Sequence, residues 1–186
     1  MTDSQRNMVV AGGSGVVGCH LAALARQNGW VVKLLTRGPS MEDSIHWDPA
    51  HPDTAAIAAA LDGADVLVNL AGASLADGRL GASHRERVLQ SRVQSTQALS
   101  EAHAACERAP GVWLQASAVG YYGDCGDALL TESSPLGELF LSEVCRAWEA
   151  AIGNVSARVA TLRIGLVLSS DAPAWQKMLT PIKLGV

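Results

Sequence analysis

The stretch Val9-Val10-Ala11-Gly12-Gly13-Ser14-Gly15-Val16-Val17-Gly18 decides the fold of this chain. Gly12, Gly15 and Gly18 stand at G-x-x-G-x-x-G spacing between an apolar β-type run and an amphipathic helical pattern. This is the layout of a dinucleotide-binding turn. The first glycine permits a sharp turn out of the strand, and the second lets backbone amides approach a pyrophosphate. The third lets the helix pack close to the sheet. The helix opening at Gly15, Val16 and Val17 then presents its positive end and its free N–H groups to the phosphates.

Outward from that turn, strand-like and helix-like segments alternate, which predicts a parallel sheet with crossover helices. A first strand over 7–11 leads into a helix over 15–28 that is expected to bury Val17, Leu21 and Leu24, with Asn28-Gly29 as its C-cap. A second strand over 30–35 stops at Gly38-Pro39, and a weak third covers 44–47. A helix over 54–61 precedes a fourth strand over 65–70, apolar on both faces as a central parallel strand should be. A long helix over 83–108, a strand over 112–116, a glycine- and acid-rich loop over 121–137, a helix over 138–152 and a strand over 159–164 follow. The fold class expected is a Rossmann-like, doubly wound α/β sheet with helices on both faces, and residues 1–186 form one dinucleotide-binding domain.

Composition narrows the function classes. Hydrophobic residues make up 48% and charged residues 17% of the 186, which excludes a disordered chain. A net charge of −4 argues against nucleic acid or an anionic membrane as partner. Cys19, Cys106, Cys125 and Cys145 form no C-x-x-C pair and read as reduced thiols of a cytoplasmic protein. The polar start offers no signal peptide, and no run reaches the ~20 apolar residues of a membrane span. The histidines show no paired ligand spacing, and Asp124 and Asp127 fit no calcium loop, so no metal is expected.

The end of the second strand bears on cofactor choice. NAD sites carry an acid there, about 20 residues beyond the glycine turn, to hold the ribose hydroxyls. This chain instead has Thr36-Arg37-Gly38, with no acid before Glu42. A carboxylate would repel a 2′-phosphate, whereas a guanidinium binds one through paired hydrogen bonds. Thr36 and Arg37 are therefore cofactor candidates, and NADP is favoured over NAD. The bland alternative for Arg37 is a solvated loop arginine.

These segments resemble the extended branch of the short-chain dehydrogenase/reductase superfamily, and more narrowly the YfcH-type "epimerase family proteins". The resemblance rests on 11–18, Leu34-Leu35-Thr36-Arg37, Asn69-Leu70-Ala71-Gly72, Ser91-Arg92-Val93 with Thr96, and the run 116–123. Thr131-Glu132, Val144-Cys145, Trp148-Glu149, Leu162-Arg163-Ile164-Gly165 and Lys177-Met178-Leu179 extend it over nearly the whole chain. It implies that Leu70, Ala71 and Gly72 border the cofactor, that Arg92 contacts it, and that Ile164 to Val167 line its nicotinamide end. For Arg92 the alternative is a surface arginine paired with Glu86 or a neighbour. The resemblance also makes Ser117 the serine that polarises a substrate carbonyl, with Tyr121 and Tyr122 close behind it. Ser117 and Tyr121 are the catalytic candidates.

The chain departs from the superfamily at its catalytic pair. Ordinary members carry Tyr-x-x-x-Lys, which puts both groups on one helix face so that the lysine lowers the tyrosine pKa. Here those two places read Leu141 and Cys145, and the lysines are Lys33, Lys177 and Lys183. Cys145 reads as a small buried residue, and Glu143 and Glu149 as helix-surface charges. Family members continue past Val186 into a further strand and a substrate domain, so the substrate-binding part is expected to be missing. Apolar surface left open there would favour pairing with another chain, as in a homo-oligomer. Three readings stand: an NADP-dependent oxidoreductase or epimerase-like enzyme acting on an unidentified small molecule, a non-catalytic NADP(H) redox sensor, and a truncated remnant.

Overall fold

The computed structural model describes residues 5–38, 43–79, 81–183 and 185. In chain order the elements are β1 (Asn7–Ala11), α1 (Val16–Gln27), β2 (Val31–Thr36), β3 (Ser44–His46), α2 (Thr54–Leu61) and β4 (Val66–Asn69). Then come α3 (Ala82–Ala104), β5 (Val112–Ala118), α4 (Phe140–Ala150), β6 (Arg158–Ile164) and α5 (Pro173–Lys183). Short 3₁₀ turns stand at Leu75–Asp77 and Val119–Tyr122. All neighbouring strands pair in parallel, in the order β3-β2-β1-β4-β5-β6. The order reverses between β1 and β4, where the crevice of such a sheet opens.

Alternation along the strands divides the core. Met8, Val10, Val32, Leu34 and Val68 pack with Ala22 and Ala25 of α1 on one side. Val9, Ala11, Leu35, Leu67 and Trp113 pack with Ile57 and Leu61 of α2 and Leu99 of α3 on the other. Residues one apart face opposite ways, so these strands are apolar on both faces. Asp53 caps α2 by accepting from Ala56 N–H at 3.0 Å. Among the described residues, no helix is long and apolar enough to cross a membrane.

The expected face of α1 is corrected. Gly18, Ala22 and Ala25 are the buried residues, while Val17 and Leu24 stay 37% and 59% exposed. The cause is the closeness of the docking. A Cβ on Gly18 would stand 2.6 Å from Gly12 O, so only small side chains at i, i+4 and i+7 fit against the sheet. Three elements also differ by two residues or more. The helix expected over 83–108 ends at Ala104, where Ala105 caps it, and the 138–152 helix is shortened to 140–150. β5 continues to Ala118, carried by its pairing with β6.

α5 lies beyond the last strand read from the sequence, and Pro181 lies within its last turns. It lies against the Leu75–Asp77 turn, where Lys177 Nζ donates to Ala76 O.

Candidate functional site

The glycine turn is built by sterics. Gly12 has φ +79°, and a Cβ there would meet Leu70 O at 2.8 Å and Ala71 N at 2.9 Å. Only glycine allows both the left-handed backbone and that approach of the β1 and β4 ends. Gly12 N–H donates to Leu35 O at 3.1 Å, which also ties the turn to β2. Gly15 differs. It has φ −77°, and a Cβ there would be 3.4 Å from Gly12 O with nothing else within 4 Å. That Cβ would project into open space.

The first amide of α1 to find a helix partner is that of Cys19, which donates to Gly15 O at 2.8 Å. The amides of Val16, Val17 and Gly18 precede it and are the donors that a helix start leaves unpaired. No side chain caps this end.

Gly15, directly ahead of these amides, lines a cleft of about 490 Å³. Gly12, Gly15, Thr36, Arg37, Leu70, Ala71 and Gly72, seven of the cofactor candidates, line it together. Thr36 is buried, accepts from Gly38 N–H at 3.1 Å and donates to Ser14 Oγ at 3.2 Å. Arg37 is exposed at the same end. Val16, Val17, Gly18, Arg92 and Val167 are outside the lining, which at the start of α1 is formed by Gly12, Ser14 and Gly15.

Several lining residues stand outside the spaced motifs. Trp47 and Asp48, just past β3, face Arg37 across the fold's edge and form one end of the cleft. The Ala50 amide and His51, at 3.0 and 3.1 Å, hold the Asp48 carboxyl below its ordinary value, and Arg37 adds to this. Arg87 on α3 brings a second guanidinium, with Nη2 2.8 Å from His84 Nδ1. The signal for both was weak, since neither stands in a spaced motif.

A buried polar network fixes the β4 end of the floor. Asn69 Nδ2 donates to Thr96 Oγ1 at 3.0 Å and to Gln115 Oε1 at 3.1 Å, while Asn69 Oδ1 accepts from Ala71 N–H at 3.1 Å. Trp113 Nε1 donates to the same Gln115 Oε1 at 3.0 Å. Asn69, Thr96, Gln115 and Trp113 have no solvent exposure, so every one of these bonds replaces water. The Leu70–Gly72 wall is held in place from beneath.

Ser117 and Tyr121 lie in a separate cluster at the C-terminal end of β5. Ser117 is buried, and its hydroxyl donates to Glu149 Oε1 at 2.6 Å. Glu149 is therefore no helix-surface charge. Its two oxygens take Arg163 Nε and Nη2, both at 3.0 Å, in a fork with each side chain under one-fifth exposed. Arg163 Nη1 donates to Tyr122 Oη at 2.9 Å and to Glu132 O at 3.1 Å. The Glu149 hydrogen bonds raise the guanidinium above its ordinary pKa. Tyr121 lies face-on to the same guanidinium, 3.5 Å from Arg163 Cζ to the ring centroid. The lysine place of the missing pair holds Cys145, buried as expected, whose thiol burial pushes up.

The parallel sheet reversing at β1/β4, with a glycine turn and helix amides on its crevice, defines a Rossmann-type α/β protein. The family model for the NAD dependent epimerase/dehydratase family matches residues 8–157, and the chain belongs to that family. Among curated relatives, an epimerase family protein of Mycobacterium leprae is 35% identical over 186 residues, covering 96% of this chain and 59% of the relative. The human epimerase family protein SDR39U1 is 32% identical, covering 96% and 60%. The solved structure of that human protein (isoform2) with NADPH superposes with a TM-score of 0.83 at 33% identity, again over 96% and 60%. A nucleoside-diphosphate sugar epimerase from Corynebacterium glutamicum gives 0.78 at 37% identity, over 95% of this chain and 38% of the other. The chain thus spans about 60% of the length of the curated relatives it matches.

Proposed function

We propose that this chain binds an NADP(H)-type dinucleotide and acts as a short-chain dehydrogenase/reductase-like oxidoreductase or epimerase-like protein that works without a Tyr-x-x-x-Lys pair. One observation carries the cofactor part. α1 begins directly behind Gly15, which lines the cleft and leaves room there for a diphosphate, and the Arg37 cation stands at the cleft's β2 end. Helix-terminal amides favour a doubly charged diphosphate over a neutral ligand. Arg37, with Ser14 and Thr36 beside it, supplies donors suited to a 2′-phosphate. The NADPH bound by the human relative agrees with this choice.

When bound, the nicotinamide supplies or accepts a hydride at a carbonyl or hydroxyl carbon. This chain must then move a proton. Tyr121 is the proton carrier of this reading, because its phenol has no hydrogen-bond partner among the described residues while Arg163 covers its ring. Ser117, joined to the same Arg163 through Glu149, directs its hydroxyl proton to Glu149.

That last contact favours a second reading, a non-catalytic NADP(H)-binding redox sensor. Arg163 is neutralised by Glu149, and Ser117 has no proton left for a carbonyl.

Calorimetric titration with NADP, NADPH, NAD and NADH tests the cofactor assignment. Arg37→Asp is expected to weaken NADP binding by at least about tenfold, the scale of one charge-assisted contact, and to spare NAD. Equal loss of both nucleotides would sink the 2′-phosphate role. Tyr121→Phe separates the two readings. Under the enzyme reading it abolishes hydride exchange between labelled NADPH and carbonyl compounds while binding persists. Under the sensor reading the parent shows tight binding and no exchange to lose.

A further inference from the structure

Arg92 is not among the residues that line the cleft. Its guanidinium lies behind the cleft wall, where a Cβ added to Gly72 would stand 3.1 Å from Arg92 Cζ. Nη1 donates to Ala73 O at 3.1 Å and to Val88 O at 2.9 Å, and the cation rests 4.9 Å from the centre of the buried Trp148 ring.

None of its partners is an acid. The ion pairs among the described residues do not include Arg92. The nearby Cys145 thiol is held protonated by burial and offers no counter-charge. Glu149, the carboxylate one residue beyond Trp148, is bound to Arg163 and Ser117. Desolvation works against the Arg92 cation, and two carbonyl oxygens and a ring face compensate it only in part. A half-buried positive charge thus stands one glycine away from the crevice.

Its place along the crevice gives the charge a consequence. Arg37 and Trp47 mark the end beside β2 and β3, the α1 amides mark the middle at β1, and Gly72 lies beyond β4. A dinucleotide held by its 2′-phosphate at Arg37 and its diphosphate at the amides directs its remaining half past Gly72. That half is the nicotinamide, whose ring carries a positive charge when oxidised and none when reduced.

We infer that Arg92 acts through the Gly72 wall as a redox-state discriminator, a fixed cation that makes this site prefer the reduced dinucleotide to the oxidised one. The inference rests on the cofactor reading above. Like charges across a low-dielectric wall repel far more than they would in water, and salt screens them little. A protein with no Tyr-x-x-x-Lys pair gains from this a means of responding to the NADPH/NADP ratio by occupancy alone.

The test is the ratio of two dissociation constants on the whole chain. Wild type is expected to bind NADPH at least about tenfold more tightly than NADP, equivalent to about 1.4 kcal/mol. Arg92→Gln removes the charge and is expected to bring the two within about threefold of each other, mainly by improving NADP. Arg92→Lys keeps the charge with poorer geometry and should keep most of the preference. A structural role alone would weaken both nucleotides in parallel and leave the ratio unchanged, and that outcome overturns the inference. So does a wild-type protein that binds both forms equally, a result that needs no variant to fold. Binding of neither form would instead overturn the cofactor reading itself, so the two failures are distinguishable.

Discussion

Gly15→Val is expected to abolish dinucleotide binding, by about a hundredfold or more, while changing stability by no more than about 0.5 kcal/mol. The reason is that Gly15 is the one glycine of the three with room for a side chain. Its φ of −77° suits any L-residue, and its Cβ direction meets only Gly12 O at 3.4 Å. A valine there fills the space the diphosphate needs, in front of the Val16 and Val17 amides. Gly12→Ala provides the contrast. It adds left-handed strain at φ +79° to a 2.8 Å approach to the Leu70 carbonyl. It should cost about 2–4 kcal/mol of stability, whatever it does to binding. Parallel denaturant melts and calorimetric titrations check both variants. A Gly15→Val protein that melts normally and still binds NADPH tightly would show that the phosphates lie elsewhere.

The same contrast explains what the sequence made legible. A spaced glycine motif reports local sterics, and each of its three positions has a local cause: a left-handed turn, an open approach and a close helix contact. The alternating strands and the sheet order followed from periodicity and connection rules that are local as well. The missed features depend on distances the chain does not carry along its length. α1 turns its alanines to the sheet, not Leu24, because Gly18 brings it too near for a large side chain. Trp47 and Asp48 reach the cleft only because β3 pairs beside β2, some thirty residues from the glycine turn. Glu149 follows a buried tryptophan on an amphipathic helix, where spacing alone reads it as solvated. Its partner Arg163 is on β6 and becomes visible once β5 and β6 are in register, Ser117 beside Arg163. The resemblance implies that Arg92 contacts the cofactor; its guanidinium packs on Ala73 O, Val88 O and the Trp148 ring, outside the lining of the cleft.

Glu149→Ala should produce the largest loss of stability outside the core, about 3 kcal/mol, by stranding the half-buried Arg163 charge and the Ser117 hydroxyl together. For a chain of this length that corresponds to a fall in melting temperature of roughly 6–12 °C. The loss should not be confined to one contact. Arg163 also holds Tyr122 Oη and Glu132 O, so freeing it releases the 119–137 loop from β6. Hydrogen exchange in that loop should accelerate more than in β1 or β4. The double variant Glu149→Met/Arg163→Leu decides why. Charges taken from water recover their desolvation cost only through good geometry, and a matched apolar pair removes that cost altogether. If the cost of Glu149→Ala comes from an uncompensated cation, the double variant should regain most of the melting temperature while its loop stays fast to exchange. If the double variant melts as low as the single one, the fork itself holds the fold, and the loop is anchored by charge rather than by the packing of Tyr121 and Tyr122.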